Sequence, residues 1–214
     1  MVKGLSKTVA KKYDDHKDVS ISDILLTDKD GKEQKLSALY AGKVVYLYVW
    51  KHSPLLPPGD ENADYNGLKT RFEKYNDVVF INVYTGEKDS EWQEALALKN
   101  KGVAAYKLSA KPENDEFKNL VGSTSAAHII GKDGRILGFN GPNPSNSVIV
   151  DYALDKARTG EDATKSSKTL IKGLNSDYNF KKPELIEWYT KHFGKKPDGK
   201  VAFRITSSNT SVSN

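Results

Sequence analysis

The side chains able to do chemistry are few. The chain of 214 residues has no cysteine and four histidines, at positions 16, 52, 128 and 192. Without thiols there are no disulfides, thiolate metal sites or thiol nucleophiles. The four histidines share no spacing suited to one metal ion, so neither a metal site nor a cofactor is expected. Ser53 directly follows His52, but side chains adjacent in sequence rarely reach the geometry of a base and its nucleophile. No Gly-x-Ser-x-Gly elbow surrounds Ser53 either. Its simpler role is a hydroxyl cap for the helix that follows. Asp60, Glu61 and Asp64 gather at the start of that helix, where each acid complements the helix dipole by about 0.3–1 kcal/mol; a weak cation site is the alternative. His128 falls inside a predicted strand and reads as a hydrogen-bonded core histidine. No constellation of catalytic residues emerges, and the chain is not expected to be an enzyme.

The element that must position anything near Ser53 is the run Val44-Val45-Tyr46-Leu47-Tyr48-Val49-Trp50. Both alternating sets are apolar, Val44/Tyr46/Tyr48/Trp50 and Val45/Leu47/Val49. A strand with two apolar faces is a central strand covered on both sides, as in an α/β sheet. It leads through Lys51-His52-Ser53-Pro54 into a helix-like segment. The loop between a central strand and a helix N-terminus is where open α/β folds place their sites. Pro57-Pro58-Gly59 interrupts the helix start, so the helix proper is expected from Asp60 or Asn62, with Leu68, Phe72 and Tyr75 at helical spacing.

These residues resemble the active-site segment of thioredoxin-like proteins, in particular the TlpA/ResA type. The lead-in has an Asp30-Gly31 turn, Leu36-Ser37-Ala38-Leu39 and Gly42-Lys43 ahead of the strand. Aligned on strand and proline, the family's Cys-x-x-Cys stands here as Ser53-Pro54-Leu55-Leu56. A second landmark, the family's Gly-x-Pro before a strand and an Asp-Gly hairpin, appears as Gly122 to Ser125 ahead of Ile129-Ile130 and Asp133-Gly134. Ser125 takes the place of the cis proline, and a trans bond is expected there, because a non-proline cis bond costs about 2.5–4 kcal/mol. Pro142-Asn143-Pro144-Ser145 before a last helix is also similar to the TlpA type. The resemblance implies a thioredoxin-like α/β fold, a central mixed sheet flanked by helices, and a periplasmic or otherwise exported setting.

The rest of the chain frames that domain. Residues 1–18 read as a flexible lead; residues 1–17 are charged and hold no apolar stretch of the kind a secretory signal needs. The thioredoxin-like domain is expected over 19–157. Strands are expected over Val78–Val83, Ala104–Leu108 and Ile136–Phe139. Helices are expected from Ser90, over Glu113–Leu120 and after Ser145 or Asn146. A partly helical, basic C-terminal extension follows over 158–206, with a linker at Thr159–Asp162 and helices at Thr169–Leu174 and Pro183–Phe193. A low-complexity tail over 207–214 is expected to be disordered. Charge is uneven: residues 156–214 hold 12 Lys/Arg against 6 Asp/Glu, whereas residues 41–155 hold 13 against 15.

Thiol–disulfide exchange needs a thiolate, which Ser53 and Leu56 cannot supply. The expected function is therefore a redox-inactive thioredoxin-like protein, a pseudoenzyme acting as a protein- or peptide-binding or scaffolding module. Its degenerate active-site cleft would comprise Trp50, His52, Ser53, Pro54, Leu55, Leu56, Thr124 and Ser125. Against an open groove stands a closed one, with Leu56 drawn into the core. The alternative function is a TlpA-like thiol–disulfide oxidoreductase by descent, inactive as written because both cysteines are absent. The basic extension has three readings: a solvated appendage packed through Leu185, Trp188 and Tyr189; weak attraction to acidic surfaces; or nucleic-acid binding, which its scattered lysines argue against. The expected partner is a protein or peptide, with no nucleic acid and no membrane span.

Overall fold

The structure, a computed structural model, describes residue 16 and residues 19–51, 58–98, 104–122 and 125–201. Most of the lead over 1–18, the segment His52–Leu56, Thr124 and residues 202–214 lie outside the described residues. The chain divides into two compact units, residues 1–171 and 172–214.

The first unit is built on a seven-stranded mixed sheet in the order β2-β1-β5-β4-β3-β6-β7. Its strands are β1 (Leu25–Thr27), β2 (Glu33–Lys35), β3 (Val44–Trp50), β4 (Val78–Tyr84), β5 (Ala104–Leu108), β6 (Ala126–Ile130) and β7 (Ile136–Gly138). All seven residues of β3 are buried. Val44, Tyr46, Tyr48 and Trp50 enter one core and Val45, Leu47 and Val49 the other. Burying each large apolar side chain contributes about 1.5–3 kcal/mol, so this strand anchors both halves of the core. It pairs in parallel with β4 and antiparallel with β6. The two edge strands, β2 and β7, are three residues long, and the outer one at the β1 side reads Glu33-Gln34-Lys35.

Helices cover both faces. α1 (Leu36–Tyr40) places Leu36 and Tyr40 on the face of Val45 and Leu47, as does α4 (Asp115–Val121) with Phe117 and Val121. The opposite face receives Tyr65, Leu68 and Phe72 of α2 (Pro58–Phe72), Trp92 of α3 (Asp89–Leu98), and Val150, Ala153 and Leu154 of α5 (Ser147–Ala157). α2 begins at Pro58 rather than at Asp60, because a proline in the first turn has no N–H that the helix would miss. α3 begins at Asp89, which puts Ser90 inside the first turn instead of at the cap; Asp89 and Glu91 favour the dipole there. α6 (Ala163–Lys172) starts six residues before the expected Thr169 and stops before Leu174. Asp162 caps it, its Oδ1 accepting the Lys165 N–H at 2.8 Å. A β-carbon at Gly138 of β7 would stand 3.2 Å from Ala163 Cβ, so α6 lies close on the sheet.

In the second unit, Leu174 and Phe180 form an isolated antiparallel bridge around a turn in which Asn175 Oδ1 accepts the N–H groups of Asp177 and Asn179, each at 2.9 Å. α7 (Pro183–Phe193) opens on proline and stops at Gly194, whose φ of 72° is the left-handed cap glycine tolerates. Trp188 stacks on His192 at 5.4 Å, and Phe180 meets Tyr189 at 5.7 Å. Among the described residues no helix is long and apolar enough to cross a membrane.

Candidate functional site

Strand pairing assembles the candidate cleft. Val49 of β3 lies opposite Ala126 of β6, which brings the residue before β6 alongside the residue after β3. The Lys51 N–H accordingly points to Ser125 Oγ at 3.4 Å. Ser125 is exposed and Lys51 half-buried. Two loops distant in sequence thus meet at the carboxyl end of the central strand. His52, Ser53, Pro54, Leu55, Leu56 and Thr124 lie outside the described residues, as does the peptide bond joining Thr124 to Ser125.

Trp50 stands behind this meeting point. It is buried, with ring contacts to Tyr84 at 4.9 Å and Trp92 at 6.1 Å, while Tyr84 and Trp92 stack at 5.7 Å. The Tyr84 hydroxyl donates to Glu91 Oε2 at 3.1 Å. Burial, and then Glu91, push the Tyr84 phenol up to about 12. Gly86 makes this packing possible: a β-carbon there would lie 2.0 Å from Tyr84 Oη. The Trp50 carbonyl accepts the Thr85 N–H at 3.1 Å, which fixes the end of β4 to the end of β3. Trp50 is therefore held in a buried aromatic cluster, and Ser125 is the exposed side chain beside Lys51.

The titratable groups nearby are structural. His128 on β6 is buried, its Nδ1 accepting the Asn140 N–H at 3.4 Å and its ring 4.8 Å from Phe139. Burial lowers its pKa from 6.5 to about 4, so it stays neutral near pH 7, as a core histidine should. Sequence reasoning missed Asp151. Its side chain is fully buried in α5 and takes two bonds from Arg71 of α2, 2.5 Å from Nε and 2.9 Å from Nη2. The available signal was an acid set between Val148-Ile149-Val150 and Tyr152-Ala153-Leu154, since a charge so flanked must be paired to be buried. No group of three or more His, Asp or Glu side chains able to hold a metal ion occurs among the described residues.

No family model matches the chain, and no curated protein matches it. Solved structures do. A Bacteroides vulgatus protein assigned as a thiol-disulfide oxidoreductase is 21% identical, with 65% of this chain and 96% of that one aligned at a TM-score of 0.52. An Aquifex aeolicus protein assigned to electron transfer is 17% identical, with 68% of this chain and 99% of that one aligned at 0.52. The fold is thioredoxin-like. The end of β3 and the residue before β6 carry no sulfur, as the chain has no cysteine. The thioredoxin-like architecture is thus present in a chain without the thiol that disulfide exchange requires.

Proposed function

We propose that this chain is a thiol-free binding module, which holds a protein or peptide partner in the cleft bordered by Lys51, Ser125 and the segment His52–Leu56. The single observation that supports this most is the juxtaposition of Lys51 and Ser125 beside the buried aromatic cluster of Trp50, Tyr84 and Trp92, in a chain with no cysteine. On this reading the two segments keep a binding role although thiol–disulfide exchange is chemically impossible for them. An exported, periplasmic setting belongs to the same reading. The lysine-rich stretch over 158–206 adds weak, salt-sensitive attraction to acidic surfaces.

The test is capture on the immobilised full-length chain, with Ser125→Arg as the second bait and mass spectrometry as the readout. A partner held by the wild type and lost on Ser125→Arg supports the cleft. A partner held equally by both, or none at all, overturns it.

A further inference from the structure

A cavity opens on the same carboxyl edge of the sheet, on the face covered by α4. It has a volume of about 460 Å³ and lies between the loop after β4, the end of β5 and the start of α4. That volume is within the range of small-ligand sites, about 300–1,000 Å³. Its wall is built rather than incidental. Asn114, buried, binds three backbone groups: its Oδ1 accepts the Leu25 N–H at 2.9 Å, and its Nδ2 donates to the carbonyls of Leu25 and Ser109, each at 2.8 Å. Ser109 Oγ is in turn 2.6 Å from Thr27 Oγ1.

Thr85 is the telling residue. It is 3% exposed, and its hydroxyl is buried without a hydrogen-bond partner. Strand alternation sends its side chain to the face of Ile81 and Val83, the face of this cavity, which Thr85 lines. An unsatisfied buried hydroxyl is unfavourable, so turning it to a ligand in the cavity recovers what the fold forgoes. Three ammonium groups belong to the same lining, of which Lys107 is paired with Asp89. Lys118 Nζ is 3.3 Å from Glu87 Oε1, and Lys111 Nζ is 3.6 Å from Glu33 Oε2. Both pairs are about half exposed or more and hold weakly, so either lysine can turn to a better acceptor. Asp115 and Glu87 also line the cavity and disfavour the concentrated charge of a phosphate, so a dicarboxylate would enter by one carboxylate with the other toward solvent.

We propose that this cavity binds a carboxylate, with Thr85 donating its hydroxyl and Lys111 and Lys118 supplying charge. The site is distinct from the Lys51–Ser125 cleft and stands whatever that cleft binds. The carboxylate can come from a free dicarboxylic acid or from an acidic side chain of a peptide.

Amide chemical shifts of the full-length chain, titrated separately with succinate, with acetyl-Gly-Glu-Gly-amide and with inorganic phosphate, test the assignment. The expected result is saturable shifts centred on Thr85, Gly86, Ser109 and Ala110 with one or both carboxylates, weakened about tenfold or more by Thr85→Val and by Lys118→Gln. Succinate alone would identify free acids as the source, and the peptide alone an acidic side chain; both support the site. Absence of saturation with either carboxylate, binding indifferent to both substitutions, or tighter binding of phosphate would overturn it. Retention of the native amide spectrum by each variant separates lost binding from lost fold.

Discussion

Arg71 clasps the buried carboxylate of Asp151 with two parallel N–H···O bonds, joining α2, which follows the cleft segment, to α5 on the same face of the sheet. Removing the guanidinium leaves a charge inside the protein. Arg71→Met is therefore expected to destabilise the fold by about 3 kcal/mol, the low end for breaking a buried pair because Arg71 keeps 26% of its side chain in water. Urea unfolding measures it; a loss under about 1 kcal/mol would show that the pair is not an anchor.

His128 ties stability to acid. Its folded pKa, about 4, lies below the ordinary 6.5. Between those values the unfolded chain takes up a proton that the folded chain refuses. The stabilisation is thus full above about pH 6.5 and is lost as pH falls toward 4, by about 3 kcal/mol in all. Thermal melts of the wild type and His128→Gln from pH 7.5 to 4.5 should converge at the acid end. Parallel curves would remove His128 as the cause.

Gly86 is required by a neighbour and not by its own backbone. A methyl group there would overlap Tyr84 Oη at 2.0 Å and Cζ at 2.2 Å, on a ring already held between Trp50 and Trp92. Gly86→Ala is expected to cost about 1–3 kcal/mol, as overpacking does, and to shift the tryptophan emission because two indoles must move. Unchanged emission with an unchanged melt would mean that the ring has room to swing.

The cysteine positions offer a chemical test of descent. The wild-type chain should not reduce insulin at any enzyme concentration, since it has no thiolate to attack with. Ser53→Cys with Leu56→Cys should introduce measurable turnover, and adding Ser125→Pro should raise it. A folded double variant without turnover would argue against reading Ser53 and Leu56 as the places of a redox pair.

How much of this was legible depended on how far apart the cooperating residues lie. β3 could be read directly, because both of its alternating sets are apolar, and α7 could be bounded by Pro183 and Gly194. The start of α6 could not. The residues it buries include Ala163 and Ser166, too small or polar to mark an amphipathic face. Asp151 was overlooked because its partner is 80 residues away. The cavity at Thr85 had no local pattern at all: Thr85-Gly86 reads as a strand end, and only the sheet brings it beside Lys111 and Lys118. The contact of Lys51 with Ser125 likewise has no local pattern and follows from the β3–β6 register.

The short outer strands bear on self-association. A sheet recruits foreign chains through long, flat, unpaired borders, and here each border of the seven-stranded sheet is three residues long, one of them carrying Glu33 and Lys35. Charge and brevity both discourage another strand from docking. Extended chains that meet this protein find little unpaired strand on which to add, so chance contact is kept from spreading into β-aggregation.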